Sequence, residues 1–132
     1  MSNDQLYRDL AKLRECGYQI EVIDNIARNA GSETLKHRIA KMCTAHVLWE
    51  SGYHVASEVE KDGKYADILG LGHPGRQPIV VELETNLEGS QRAIYRELYG
   101  SPVVREVFTI NVTDLPVIPE KQVDRISHEL GL

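Results

Sequence analysis

Two cysteines, one phenylalanine and one tryptophan are all that this 132-residue chain carries of those types. Cys16 and Cys43 lie in stretches that read as helical, and neither belongs to a C-x-x-C pair. A disulfide framework and a four-cysteine zinc site are therefore excluded. No apolar run approaches the roughly 20 residues needed to span a bilayer, so no membrane association is expected. Met1-Ser2-Asn3-Asp4-Gln5 offers neither a basic stretch nor an apolar one behind it; no secretory signal is expected, and a cytoplasmic location is the simplest reading. Excess positive charge is missing too. Fifteen Lys and Arg stand against twenty Asp and Glu, a formal charge of −5, which argues against a protein that coats nucleic acid by bulk charge. Glycine-rich phosphate loops, H-E-x-x-H and a serine nucleophile elbow are absent as well.

What remains suits one compact domain, long enough to bury a core without staples. Its charge is uneven. Between Glu58 and Glu88 seven acidic residues face three basic ones, whereas Lys36, His37, Arg38, Lys41 and His46 crowd a stretch with only Glu33 beside them. The first thirty residues read as two short helices, from Leu6, Leu10 and Leu13 and then from Ile23, Ile26 and Ala27, ending at Asn29-Ala30-Gly31. Ser32 is a good N-cap for the clearest helix, Glu33 to Ser51. There Leu35, Ile39, Met42, His46 and Trp49 share one arc, and Glu33, His37, Lys41 and Thr44 point the opposite way. The arc is expected to face the core and to make His46 a buried histidine.

Three strands are expected next, at 53–60, 65–71 and 78–84, the first two joined across Asp62-Gly63, a strong hairpin signal. A helix over 88–99, a β-branched strand over 103–112 and a helix opened by Pro119 complete the chain. This order predicts an α/β fold, a mixed four-stranded sheet flanked by helices. Residues 1–31 would be a helical extension and 32–132 the core.

The chemistry is concentrated in three carboxylates. Glu82 and Glu84 share a strand face, with Val81 and Leu83 directed to the core, and Asp67 lies beside Glu82 if the two strands pair. Crowded carboxylates repel one another without a cation, and hard oxygen donors suit Mg²⁺ or Mn²⁺. A solvated sheet face is the alternative.

Helix, Gly-Tyr, strand, Ala66-Asp67-Ile68-Leu69, Pro78-Ile79-Val80-Val81-Glu82-Leu83-Glu84, helix, strand: this order resembles the PD-(D/E)XK, or restriction-endonuclease-like, nuclease superfamily. The resemblance covers roughly residues 32 to 113. It implies that Asp67 and Glu82, with the Leu83 carbonyl, hold Mg²⁺ (or Mn²⁺) and that DNA is the substrate. The family's catalytic lysine is replaced here by Glu84, which would assist the metal or the water. Gln91 and Tyr95 fit the Q-x-x-x-Y of the RecB-like branch, and that branch's metal-binding histidine would be His37. Lys36, Lys41, Arg92 and Arg96 flank the proposed site and are the phosphate-neutralising candidates; a solvated helix face is their alternative. A metal-dependent nuclease working as a homodimer is expected, with its interface in the extra N-terminal helices. An inactive member of the same fold, binding DNA or a protein partner, is the rival reading.

Overall fold

The computed structural model describes residues 3–28, 31, 33–85 and 89–132; the expected stop at Asn29-Ala30 and the N-cap Ser32 lie outside them. Four α-helices and five strands follow one another as α1 (Asp4–Glu15), β1 (Tyr18–Gln19), α2 (Leu35–Glu50), β2 (His54–Lys61), β3 (Lys64–Leu71), β4 (Ile79–Glu84), α3 (Gly89–Tyr99), β5 (Glu106–Asn111) and α4 (Pro119–Glu129). The strands form a single mixed sheet in sequence order. β1 to β4 pair antiparallel, and β5 returns through α3 to run parallel to β4. One face packs under α2 and α4, through Val55, Ile68, Val81 and Leu83 against Val47, Leu48 and Ile126. The other packs under α1 and α3, through Ala56, Val59, Ala66, Leu69 and Val80 against Leu10, Leu13 and Tyr99. No helix among the described residues is long and apolar enough to cross a membrane. Cys16 and Cys43 are free thiols.

The sheet has five strands rather than four because the second expected N-terminal helix does not form. Ile20, Val22 and Ile23 are β-branched and resist helix, and the chain instead runs along the outer edge of β2. Tyr18 and Gln19 pair with Lys61 and Glu60. Further along, Asn25 exchanges two hydrogen bonds with Val55, its N–H donating at 3.0 Å and its Oδ1 accepting at 2.8 Å. Arg28 N–H then donates to Ser57 Oγ at 2.7 Å. This strap covers an edge that would otherwise be open to pairing with another chain.

The orientation of α2 also reverses the expectation. Its small and polar side, Ala40, Lys41, Thr44 and Ala45 with Val47 and Leu48, faces the sheet. Four of the five arc residues face outward: Leu35 is 73% exposed, Met42 63% and Trp49 48%, and His46 is exposed rather than buried, while Ile39 packs partly buried against the core. Ala40, Cys43 and Ala45 let the helix approach the sheet closely, and Lys41 finds partners only there. Thr34, not Ser32, caps α2, its side chain accepting from His37 N–H.

The strap makes a stability prediction. Asn25 adopts a left-handed backbone at φ 62° that asparagine tolerates better than alanine. Asn25→Ala is expected to cost about 1–3 kcal/mol in urea unfolding, and Asn25→Gly less, since glycine loses the side-chain bond without the strain.

Candidate metal centre

Both strands of the first hairpin turn over at one position. Val55 packs on the α2 side and Val59 on the α1 side, although four residues apart on a strand normally means one face. Across from them, Ile68 and Ala66 are split in the same way. The residues at the crossing are Glu58, held at φ 51°, and Asp67. The pairs Ser57–Ile68 and Val59–Ala66 bracket them and set them opposite each other. This conformation costs on the order of 1–3 kcal/mol in a non-glycine residue, and it turns both carboxylates towards α2.

β3 and β4 are paired only from Ile68–Val81 to Gly70–Ile79, and then they part. At the parting the side chains take over the hydrogen bonding. Asp67 N–H donates to Glu82 Oε1 at 2.7 Å, and Leu83 N–H donates to Asp67 Oδ2 at 2.8 Å. His37 comes down from α2, its Nε2 2.9 Å from the Leu83 carbonyl oxygen and 3.8 Å from Asp67 Oδ2. Asp67 is thus linked through its N–H to Glu82 and through its carboxylate to Leu83 at the end of β4, and His37 reaches the Leu83 carbonyl and Asp67 from the α2 side. Each of the two carboxylates keeps a second oxygen with no protein hydrogen bond among the described residues. Carboxylate and carbonyl oxygens are hard donors of the kind that suit Mg²⁺ or Mn²⁺, and the imidazole is a borderline donor beside them. In the tautomer whose Nε2–H donates to the carbonyl, His37 orients that ligand; the other tautomer offers Nε2 itself to a metal.

A second carboxylate group adjoins the first. Ligand atoms of Glu33, Glu58 and Asp67 lie within 4.8 Å of one another. The buried ammonium of Lys41 already serves them: Nζ donates to Glu33 Oε1 at 2.7 Å, to Glu58 Oε1 at 2.6 Å and to the Arg28 carbonyl. Lys41 is therefore a buried internal counter-ion, neither the phosphate contact nor the solvated helix-face residue that the sequence offered as alternatives. Burial alone would lower its pKa, and its two carboxylate partners more than reverse that. A cavity of about 240 Å³ lined by Arg28, Ser57, Glu58 and Tyr65 opens beside this group.

Burial and the neighbouring Asp67 push the Glu82 carboxyl up to about 9. Asp67 is also raised by burial, but the Leu83 N–H, His37 and Lys41 oppose the rise. Without a metal, Glu82 holds the proton of this pair.

The remaining sequence candidates lie around this centre. Glu84 is engaged from the α3 side, accepting a hydrogen bond from Tyr95 O–H; burial and then Glu84 push the Tyr95 pKa up. Gln91 is half-buried on α3, and Arg92 is committed through Nη1 to the Thr109 carbonyl at 2.8 Å. Lys36 and Arg96 are exposed. Sequence reasoning missed Glu58 as a site residue. The signal was present: a two-residue turn at Asp62-Gly63 pairs Lys61 with Lys64, and three steps back on each strand sets Glu58 opposite Asp67.

Two outcomes follow. Because the folded protein holds the Glu82 proton and the unfolded chain releases it above about pH 4.5, metal-free stability should fall as pH rises from there towards 9. Glu82→Gln should remove that fall, gaining at least about 1.4 kcal/mol at pH 8 over its effect at pH 4, as thermal melts in EDTA would read. Lys41→Met should cost about 3–5 kcal/mol at pH 7 by leaving buried carboxylates unpaired, and Glu33→Gln with Glu58→Gln should recover part of it.

No family model matches this chain, nor does any curated protein or solved structure.

Proposed function

We propose that this protein is a metal-dependent nuclease of the PD-(D/E)XK kind that hydrolyses phosphodiester bonds in DNA. The observation that carries the reading is the chain of hydrogen bonds where β3 and β4 part, from Asp67 N–H to Glu82 and from Leu83 N–H to Asp67, with His37 reaching the Leu83 carbonyl. The element order α2-β2-β3-β4-α3-β5 agrees with the resemblance seen in the sequence. A divalent ion held there would polarise a phosphoryl oxygen and lower the pKa of a bound water.

Asp67 and Glu82 are the metal-holding carboxylates. The Leu83 N–H fixes the orientation of Asp67, and the Asp67 N–H fixes that of Glu82. Glu82 would give up its proton to hold a cation, so binding would release about one proton near neutral pH. Glu84, held by Tyr95, acts through its charge, which adds to the carboxylate field at Glu82. Lys36 and Arg96, exposed on the two helices, are the candidates for phosphate contact. Such a protein would act in the cytoplasm.

One observation favours the rival reading of an inactive member that binds DNA or a protein partner. The position of the family's lysine is filled by Glu84, and its hydrogen bond to Tyr95 holds it on the α3 side.

The deciding experiment is cleavage of plasmid, linear, single-stranded and four-way-junction DNA in Mg²⁺, Mn²⁺ or EDTA. The expected result is metal-dependent cutting that falls by at least about 100-fold in Asp67→Ala and in Glu82→Ala, the loss typical of a metal-site residue. DNA binding without cutting would select the rival, and cutting unaffected by either substitution would reject the site.

A further inference from the structure

The outward arc of α2 is not the face of a helix that ends at solvent. Leu35, Ile39, Met42, His46 and Trp49 follow one another in alternating steps of four and three residues, the spacing of a coiled-coil seam. Three of them are large apolar side chains more than 45% exposed: Leu35 at 73%, Met42 at 63% and Trp49 at 48%. An exposed helix face is normally polar, and a contiguous apolar patch marks an interaction surface. Beside the seam lies a groove of about 500 Å³ between α2 and the strap, lined by Ile26, Met42, His46 and Trp49. Ile26 is itself 60% exposed.

We propose that a second copy of this chain covers that seam, α2 packing antiparallel on its counterpart about a two-fold axis. Charge on the seam's flank selects this occupant and this direction. Lys36 and Glu50, both exposed, stand at opposite ends of α2 on the same side of the seam, one residue beyond Leu35 and Trp49 respectively. Flanking charges of this kind set partner and orientation in helix pairs. An antiparallel copy brings Lys36 against the partner's Glu50, and symmetry repeats the pair. In that register Met42 lies against the partner's His46, and Ile39, already partly buried against its own core, offers only its outer edge to the partner's Trp49. A parallel copy meets Lys36 with Gly31 of the partner subunit and offers it no carboxylate. The interface is isologous, so it closes at two copies and leaves no apolar stripe for further growth. It lies on the core helix α2, not on the N-terminal segment, and it would engage Lys36 and leave Arg96 as the exposed candidate for phosphate contact.

Sedimentation velocity over a concentration series, with circular dichroism on each variant, tests this. The wild-type protein is expected to sediment as a dimer, and Met42→Glu as a folded monomer. Lys36→Glu and Glu50→Lys should each weaken dimerisation several-fold, and the two together should restore it. All three positions are exposed, so unfolding does not confuse the readout. A wild-type monomer at every concentration overturns the proposal, and if that monomer pellets with neutral phospholipid vesicles the stripe is a lipid-binding surface instead. A dimer indifferent to Met42→Glu places the interface elsewhere. A double variant no better than either single one overturns the antiparallel arrangement.

Discussion

A single buried ammonium organises the α2 side of this protein. Lys41 lies under the helix with three acceptors around its nitrogen, two of them carboxylates and one the carbonyl of Arg28. A charge placed there is tolerable only because all three partners are present. Each partner comes from a different part of the chain: the strap, the approach to α2, and β2. Holding them together fixes the rotation of α2, and that rotation aims His37 at the end of β4. The same rotation turns most of the apolar arc outward and leaves Ile39 alone packed against the core. An inner ion pair and an outer hydrophobic stripe are thus two results of one constraint.

This explains which parts of the fold were legible beforehand. Strand and helix positions were marked by local punctuation: Asp62-Gly63 at the hairpin, Gly52 after α2 at φ 95°, Pro119 opening α4. Those signals act within a few residues and need no tertiary context. The direction of α2 was not legible, because the partners that reverse it lie far away; Glu58 is separated from Lys41 by 17 residues. A hydrophobic arc predicts the buried side only when the polar side has no buried partner. The extended path of residues 20–28 was missed for a related reason, since it depends on the outer edge of β2, to which Asn25 and Arg28 bond.

The centre was legible in part. Strand alternation and pairing place Asp67 beside Glu82, and a 2.7 Å hydrogen bond from Asp67 N–H to Glu82 Oε1 joins them. The same alternation put Glu84 with Glu82 on one face, but could not show that Tyr95 would claim it. Two carboxyls in one dry place cannot both be charged cheaply, so one of them carries a proton or the two share a cation. A proton and a divalent ion would therefore compete for the same lone pairs, which would link acidity to any divalent-ion affinity of this site.

The hairpin turn at Asp62-Gly63 is exposed and lies four residues along the chain from both Glu58 and Asp67. Exposed turns are ordinarily where chains accept extra residues most freely. Here the length of the turn is what sets Glu58 across from Asp67, so a one-residue insertion would slide the strands and send side chains to the wrong face. Every site residue would still be present in the sequence, and the site would be gone. In a lineage of such proteins, the gap pattern at this turn would report on the centre as faithfully as the acidic residues themselves.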